Sequence, residues 1–138
     1  MSRKNAREVV FKIVFELIFQ EDAEAKQLYS ELIDSFENDY EITQEDEQYI
    51  NDVLDGINLN KSSIDEKIKA HLKDWNFERL NLVDVAILRL STYEICYRKD
   101  IPCKVSVNEA VELAKVFSDD SSPKFINGIL AEIIKDEE

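Results

Sequence analysis

The sequence predicts an all-α protein, a seven-helix chain forming a single domain, 1–138, of two packed helical sub-bundles, residues 1–58 and 59–138. Three observations carry this. Only two glycines and two prolines occur in 138 residues, where average usage would supply about ten and seven, so few positions suit the tight turns that sheets need. Apolar residues recur at steps of three and four along most of the chain, the spacing that lines one face of a helix. Capping patterns, a small polar residue three positions before an acid, stand where several of those runs begin.

The first run sets Ala6, Val10, Ile13, Val14 and Leu17 on one stripe and predicts a helix. Segments 26–37 and 44–57 follow, with Leu28, Leu32 and Phe36 in one and Tyr49, Ile50, Val53, Leu54 and Ile57 in the other; Thr43 and Asp46 are the start signal of the latter. Ser63 with Glu66 makes a full capping box and predicts a fourth helix through Ile64, Ile68 and Leu72. Trp75 and Phe77 fall in a short connector. Residues 80–98 are apolar nearly all round, and a helix with so little polar face belongs at the centre of a fold. Ile101-Pro102 ends it, because the residue before proline disfavours helical geometry. Ser106 with Glu109 predicts the start of a helix that buries Val107, Ala110, Val111, Ala114 and Phe117. Ser122-Pro123 sets an N-cap residue before a proline, and the last helix packs Ile126, Ile129, Leu130, Ile133 and Ile134.

Composition excludes several function classes. A chain 44% hydrophobic and 34% charged is not a disordered one, and no apolar run approaches the roughly 20 residues that cross a bilayer, so no membrane partner is expected. Residues 1–20 begin basic and then apolar, but Glu8, Lys12 and Glu16 interrupt the run, which predicts a mature helix and not a signal peptide. Cys96 and Cys103 are too few for a disulfide framework, and neither stands in a metal-ligand spacing with His71, the single histidine; a reducing cytoplasm fits. With no glycine-rich phosphate loop either, no catalytic residue, metal site or cofactor is expected, and the chain is read as not an enzyme.

The net charge of −13 argues at first against nucleic acid, whose phosphates call for lysine and arginine. The distribution softens this: residues 1–19 carry four basic and two acidic groups, residues 20–60 one and thirteen, and residues 61–138 twelve and fifteen. At 100° per residue Lys4, Arg7, Phe11 and Phe15 fall within about 80° of one another. Cations interleaved with aromatics suit single-stranded RNA, holding phosphates while a ring stacks a base; alternatively the two phenylalanines widen the core face and the cations are merely solvated. Arg89, the only charge between Val85 and Tyr93, either snorkels from a buried helix or is presented to a ligand. Asp84 either completes the cap begun by Asn81 or meets a partner. Lys124 and Phe125 stand in the first turn of the last helix, where backbone amides favour phosphate, unless Phe125 is core.

Taken together, Ala6-Arg7-Glu8, the stretch Val83 to Leu90, Tyr93-Glu94, Ile101-Pro102, Val107 to Lys115 and Lys124 to Leu130 resemble the NusB family, in order and spacing nearly end to end. The resemblance implies a NusB-like fold and a transcription antitermination factor that binds the boxA element of nascent ribosomal RNA. It implies as partners the ribosomal protein NusE, other Nus factors and RNA polymerase within the antitermination complex. Carried over by position, the RNA contacts are Arg3, Lys4, Arg7, Phe15, Arg89, Lys124 and Phe125, with Asn108 and Ser121 beside them, and Asp84 faces NusE. The chain departs from the family pattern at Val85, usually basic, and at Ser118, usually glycine. The competing reading, which the net charge keeps open, is a helical protein-binding adaptor without RNA affinity.

Overall fold

Six α-helices and one 3₁₀ turn make up the computed structural model, which describes residues 3–35, 42–73 and 76–138, with no strand among them. They are α1 (Arg3–Phe19), α2 (Ala25–Ser35), α3 (Gln44–Lys69), the turn Phe77–Arg79, α4 (Leu82–Tyr97), α5 (Cys103–Phe117) and α6 (Ser122–Glu137). As its composition predicts, α4 is central: it packs against α1, α3, α5 and α6 and, Arg89 aside, is buried from Asp84 to Ile95. Around it α1 and α2 lean on the first half of α3, and α5 and α6 form a hairpin. Phe36 and Trp75 lie outside the described residues. No described helix is long and apolar enough to cross a membrane.

Two of the expected seven helices are one. The segments predicted at 44–57 and from Ser63 join in α3, which bends at Asn60 (φ −108°, ψ 17°) without stopping. Thr43 caps it as its spacing predicts, its hydroxyl accepting from Asp46 N at 3.0 Å. The capping box at Ser63 and Glu66 goes unused because nothing there breaks the helix. Ile50, Val53, Leu54, Ile57, Ile64 and Ile68 stay in phase on one buried stripe across the bend, so continuing costs no exposed core and keeps the backbone bonded. Asn60 eases the bend by donating from Nδ2 to the Gly56 carbonyl at 2.9 Å.

Two other starts also move. α5 begins at Cys103, directly after Pro102, whose φ of −59° is already helical; Ser106 therefore sits inside the helix with its side chain buried. α6 takes Ser121 as N-cap, one residue earlier than expected, which frees the Ser122 hydroxyl to point inward.

Near the bend, α3 and α4 approach so closely that a Cβ at Gly56 would collide with the Tyr93 ring, which is buried and stacked on Tyr97 at 5.2 Å. Alanine gains about 1 kcal/mol over glycine inside a helix, but overpacking a buried ring costs about 1–3 kcal/mol. Gly56→Ala is therefore expected to destabilise by up to about 2 kcal/mol in urea denaturation, against its helix propensity.

The far end of α6 is tied down by ions. Glu137 accepts from Lys67 Nζ at 3.0 Å and Cys96 Sγ at 3.3 Å and lies 3.6 Å from Lys99 Nζ, while Asp136 meets His71 Nε2 at 2.6 Å. The hydrogen bonds from Lys67 and then Cys96 hold the Glu137 carboxyl below its ordinary value. Burial, reinforced by the bond to Glu137, pushes the Cys96 thiol up to about 12. A depressed carboxyl adds stability above its unfolded pKa and loses it as pH falls through the folded value. Glu137→Gln is thus expected to lower the melting temperature at neutral pH, with the gap to the parent closing in acid below the carboxylate range.

Candidate nucleic-acid interface

α1 delivers its basic residues to two different places. Lys4 is exposed and shares a shallow notch with Glu8, Glu109, Glu112 and Val116. Arg7, one turn on, reaches the floor of the same notch but is drawn inward: it is 5% exposed, donates from Nε to Glu94 Oε2 at 2.9 Å, and stands 5.8 Å over the Tyr49 ring. Desolvation alone would lower its pKa, but the bond and charge of Glu94 outweigh this and raise it. Phe11 is buried against Phe117 at 5.1 Å, whereas Phe15 is half-buried with its ring edge-on to Phe19. The strip predicted from helical spacing is therefore split, with Lys4 and Phe15 at the surface and Arg7 and Phe11 in the core. Strand-like or helical spacing gives an angle, not a depth, and Arg7 is drawn in by a buried carboxylate 87 positions away.

Arg3 also turns inward, with Nε 3.8 Å from Asp46 and its guanidinium 4.4 Å over Tyr49. Arg89 grips Asp65 with both prongs, Nε to Oδ1 at 2.9 Å and Nη2 to Oδ2 at 3.0 Å, the strong fork geometry of an arginine–carboxylate pair. It lines a pocket with Leu17, Leu54, Ile57 and Lys61, not the surface of Lys4.

The start of α6 keeps its residues outward. Ser121 and Lys124 are exposed and Phe125 is half-buried. Phe125 and Ser121 line a cleft of about 530 Å³ with Arg79, Asn81, Asp84 and Asp119. Asp84 closes its inner wall, 5% exposed, and accepts from Ser118 Oγ at 2.6 Å and Ser122 Oγ at 2.9 Å. It neither completes the cap, which Asn81 makes with Val83 N at 2.8 Å, nor faces outward as the sequence suggested; it ties α4 to the turn between α5 and α6. The serine at 118 supplies a hydroxyl that glycine could not. Asn108 is exposed on α5.

Between these two ends runs a groove of about 530 Å³ that includes Phe11, Phe15, Phe117, Leu28, Leu32 and Val83, with Lys12 on its rim 5.7 Å over Phe117. Phe117 lines both the Lys4 notch and this groove, so the two adjoin, whereas the cleft at the start of α6 has a separate set of lining residues. Lys12, Phe117 and Val83 escaped the sequence reading because each looks like ordinary core or solvent; only the tertiary packing of α1 on α5 and α4 brings them together.

Because Glu94 is 1% exposed and is the counter-ion of a buried arginine, removing its charge strands Arg7. Glu94→Gln is expected to cost about 3–5 kcal/mol in urea denaturation; a loss below about 1 kcal/mol would show that Arg7 relaxes to water.

Comparison with known proteins gives this face its context. The model of the NusB family matches residues 4–135. The transcription antitermination protein NusB of Clostridium novyi is 44% identical over 137 residues, covering 98% of this chain and 99% of that protein, and its counterpart in Acetivibrio thermocellus is 42% identical, covering 98% and 90%. Among solved structures, T. maritima NusB superimposes with a TM-score of 0.87 at 37% identity, covering 98% of this chain and 92% of that one. A structure of antitermination factors NusB and NusE in complex with dsRNA superimposes with a TM-score of 0.85 at 25% identity, covering 97% and 96%. The helical architecture, the family match and the near full-length identity agree, and the chain belongs to the NusB family.

Proposed function

We propose that the chain is a transcription antitermination factor that binds boxA-type single-stranded RNA of nascent ribosomal RNA transcripts together with NusE. It acts in the cytoplasm beside other Nus factors and RNA polymerase. The observation that carries this reading is that Lys4 and Lys124 are exposed, with the half-buried rings of Phe15 and Phe125 on the same two helices, in a chain whose relatives include a NusB held with NusE and dsRNA. Lys4 and Lys124 hold phosphates, Asn108 and Ser121 add neutral hydrogen bonds, and Phe125 and Phe15 offer rings to bases. The backbone amides opening α6 favour the same anion. Arg3, Arg7 and Arg89 serve RNA from within, fixing the helices that present the lysines.

The apolar groove is the seat for NusE. A basic ribosomal protein complements a chain of net charge −13 and offsets its repulsion of RNA. Asp84 contributes indirectly, by holding the turn between α5 and α6 at the groove's edge. The second reading, a protein-binding adaptor without RNA affinity, draws support from the arginines paired internally with Asp46, Glu94 and Asp65.

Gel-shift titration of a boxA-type RNA with and without saturating NusE separates the two. Linkage requires each ligand to strengthen the other by the same factor, here about tenfold or more; equal RNA affinity with and without NusE would favour the adaptor. With about two or three phosphates neutralised, the logarithmic salt slope of RNA binding should lie near −2, and Lys4→Ala or Lys124→Ala should flatten it by about 0.7. Arg7→Ala should instead cost stability and leave the slope alone. Phe125→Ala is expected to lower affinity at every salt concentration, by about 1–3 kcal/mol, with little change of slope.

A further inference from the structure

At the opposite end of α4 from the groove, about 20 Å along its axis, lies a polar cleft of about 520 Å³ that the RNA and NusE readings do not use. Tyr93 and Tyr97 stack nearly parallel along it, Tyr97 is 40% exposed, and the Tyr49 ring forms part of the lining. Glu45, Asp52 and Asp100 surround the rings with side chains 85%, 53% and 63% exposed. Arg98 is fully engaged, donating to Asp100 at 2.9 Å and Asp52 at 3.0 Å.

Arg3 is held differently. Its guanidinium stands 4.4 Å over Tyr49, yet its ion pairs are long, 3.9 Å to Glu45 and 3.8 Å to Asp46. Arg3 Nε is buried without a hydrogen-bond partner among the described residues, and so is Oδ2 of Asp46, whose side chain is only 8% exposed. Buried donors and acceptors are almost always paired. Here a donor and an acceptor lie near each other, both unmet, with an aromatic face beside them. The cleft thus has the chemistry of a guanidinium site, carboxylates around a π face, and is filled by a guanidinium that fits it poorly.

We propose that this cleft receives an arginine side chain from a basic protein segment, and that Arg3 is an internal stand-in which the incoming arginine displaces. The incoming group takes the carboxylates of Asp46, Asp52 and Glu45 and packs along the tyrosines. RNA is not the occupant, because acids outnumber cations around the cleft. Displacement returns Arg3 to solvent beside Lys4, adding a cation at the edge of the proposed RNA face; that consequence rests on the RNA reading, whereas the receptor site does not.

The test uses the full chain and no RNA. A blocked Gly-Ser-Arg-Ser-Gly peptide and its citrulline analogue, equal in shape but uncharged, are titrated while amide-correlation NMR follows each residue. The arginine peptide should shift Gln48, Asp52, Tyr97 and Asp100, and the citrulline peptide should not. Tyr97→Ala and Asp52→Asn should each weaken binding about two- to fivefold, Tyr97→Phe should retain it, and Arg3→Ala should strengthen it about twofold or more by vacating the site. Equal binding of citrulline, shifts spread over the acidic faces of α2 and α3 and indifferent to Tyr97→Ala, or an Arg3→Ala variant that binds no better, would each overturn the proposal.

Discussion

One carboxylate, that of Glu94, fixes how the helices meet. It lies on the central helix, 1% exposed, and accepts from Arg7 on α1, Tyr49 on α3 and Ser106 on α5. A buried charge is tolerated only when it is paired and its remaining lone pairs are satisfied, so these donors cannot be placed independently. Arg7 must point inward, which rotates α1 until Lys4 faces α5 and Phe15 faces the groove. Ser106 must lie inside α5, where the helix start at Cys103 places it. Tyr49 must reach across from α3, and its hydroxyl, buried beside Glu94, is pushed far above the usual phenol range, so it stays a donor. The polar centre thereby sets the angular register of elements that apolar packing alone would leave free to slide.

The same demand sorts the cations by type. Arg3, Arg7, Arg89 and Arg98 are all paired with carboxylates of other segments or turns, while Lys4 and Lys124 stand in solvent. Guanidinium is weakly hydrated and forked, so it can be drawn into a protein and hold a carboxylate with two bonds; ammonium is strongly hydrated and stays out. In so acidic a chain four of the five arginines are held by carboxylates, and Arg79 is exposed in the cleft at α6. The surface proposed for RNA is left with Lys4, Lys124, half-buried rings and Arg79, which explains how a segment can look basic in sequence and be nearly neutral in space.

Much of the fold was legible because helix and core announce themselves locally. The all-round apolar character of residues 80–98 correctly marks the centre, and Thr43 and Asn81 correctly mark helix starts. What failed was local motif read as boundary. Ser63 and Ser106 both carry a capping box, yet one lies on a continuous helix whose stripe stays in phase and the other answers Glu94 from within. A capping box contributes about a kilocalorie, which continued core burial or a buried charge easily exceeds. The candidate site was half legible for the same reason: the exposure of Lys4 and Lys124 follows from spacing and position, but the inward turn of Arg7 and Asp84 depends on partners 87 and 34 or more positions away.

Asp84 shows what that distance costs a reading by position. An acid at the start of α4 invites the view that it waits for a basic partner, yet two serine hydroxyls, from Ser118 and Ser122, already occupy it. One of those hydroxyls is that of Ser118, and a carboxylate that gains such donors in place of water loses its reason to reach outward. Ser118 and the inward acid therefore belong together, as a tie between α4 and the turn that precedes Lys124 and Phe125. If that tie replaces a direct charge contact, then partner affinity here rests more on the apolar groove than on Asp84 itself. Exchanging Ser118 for glycine should release the carboxylate, raising the sensitivity of NusE binding to salt while lowering stability by about 1 kcal/mol.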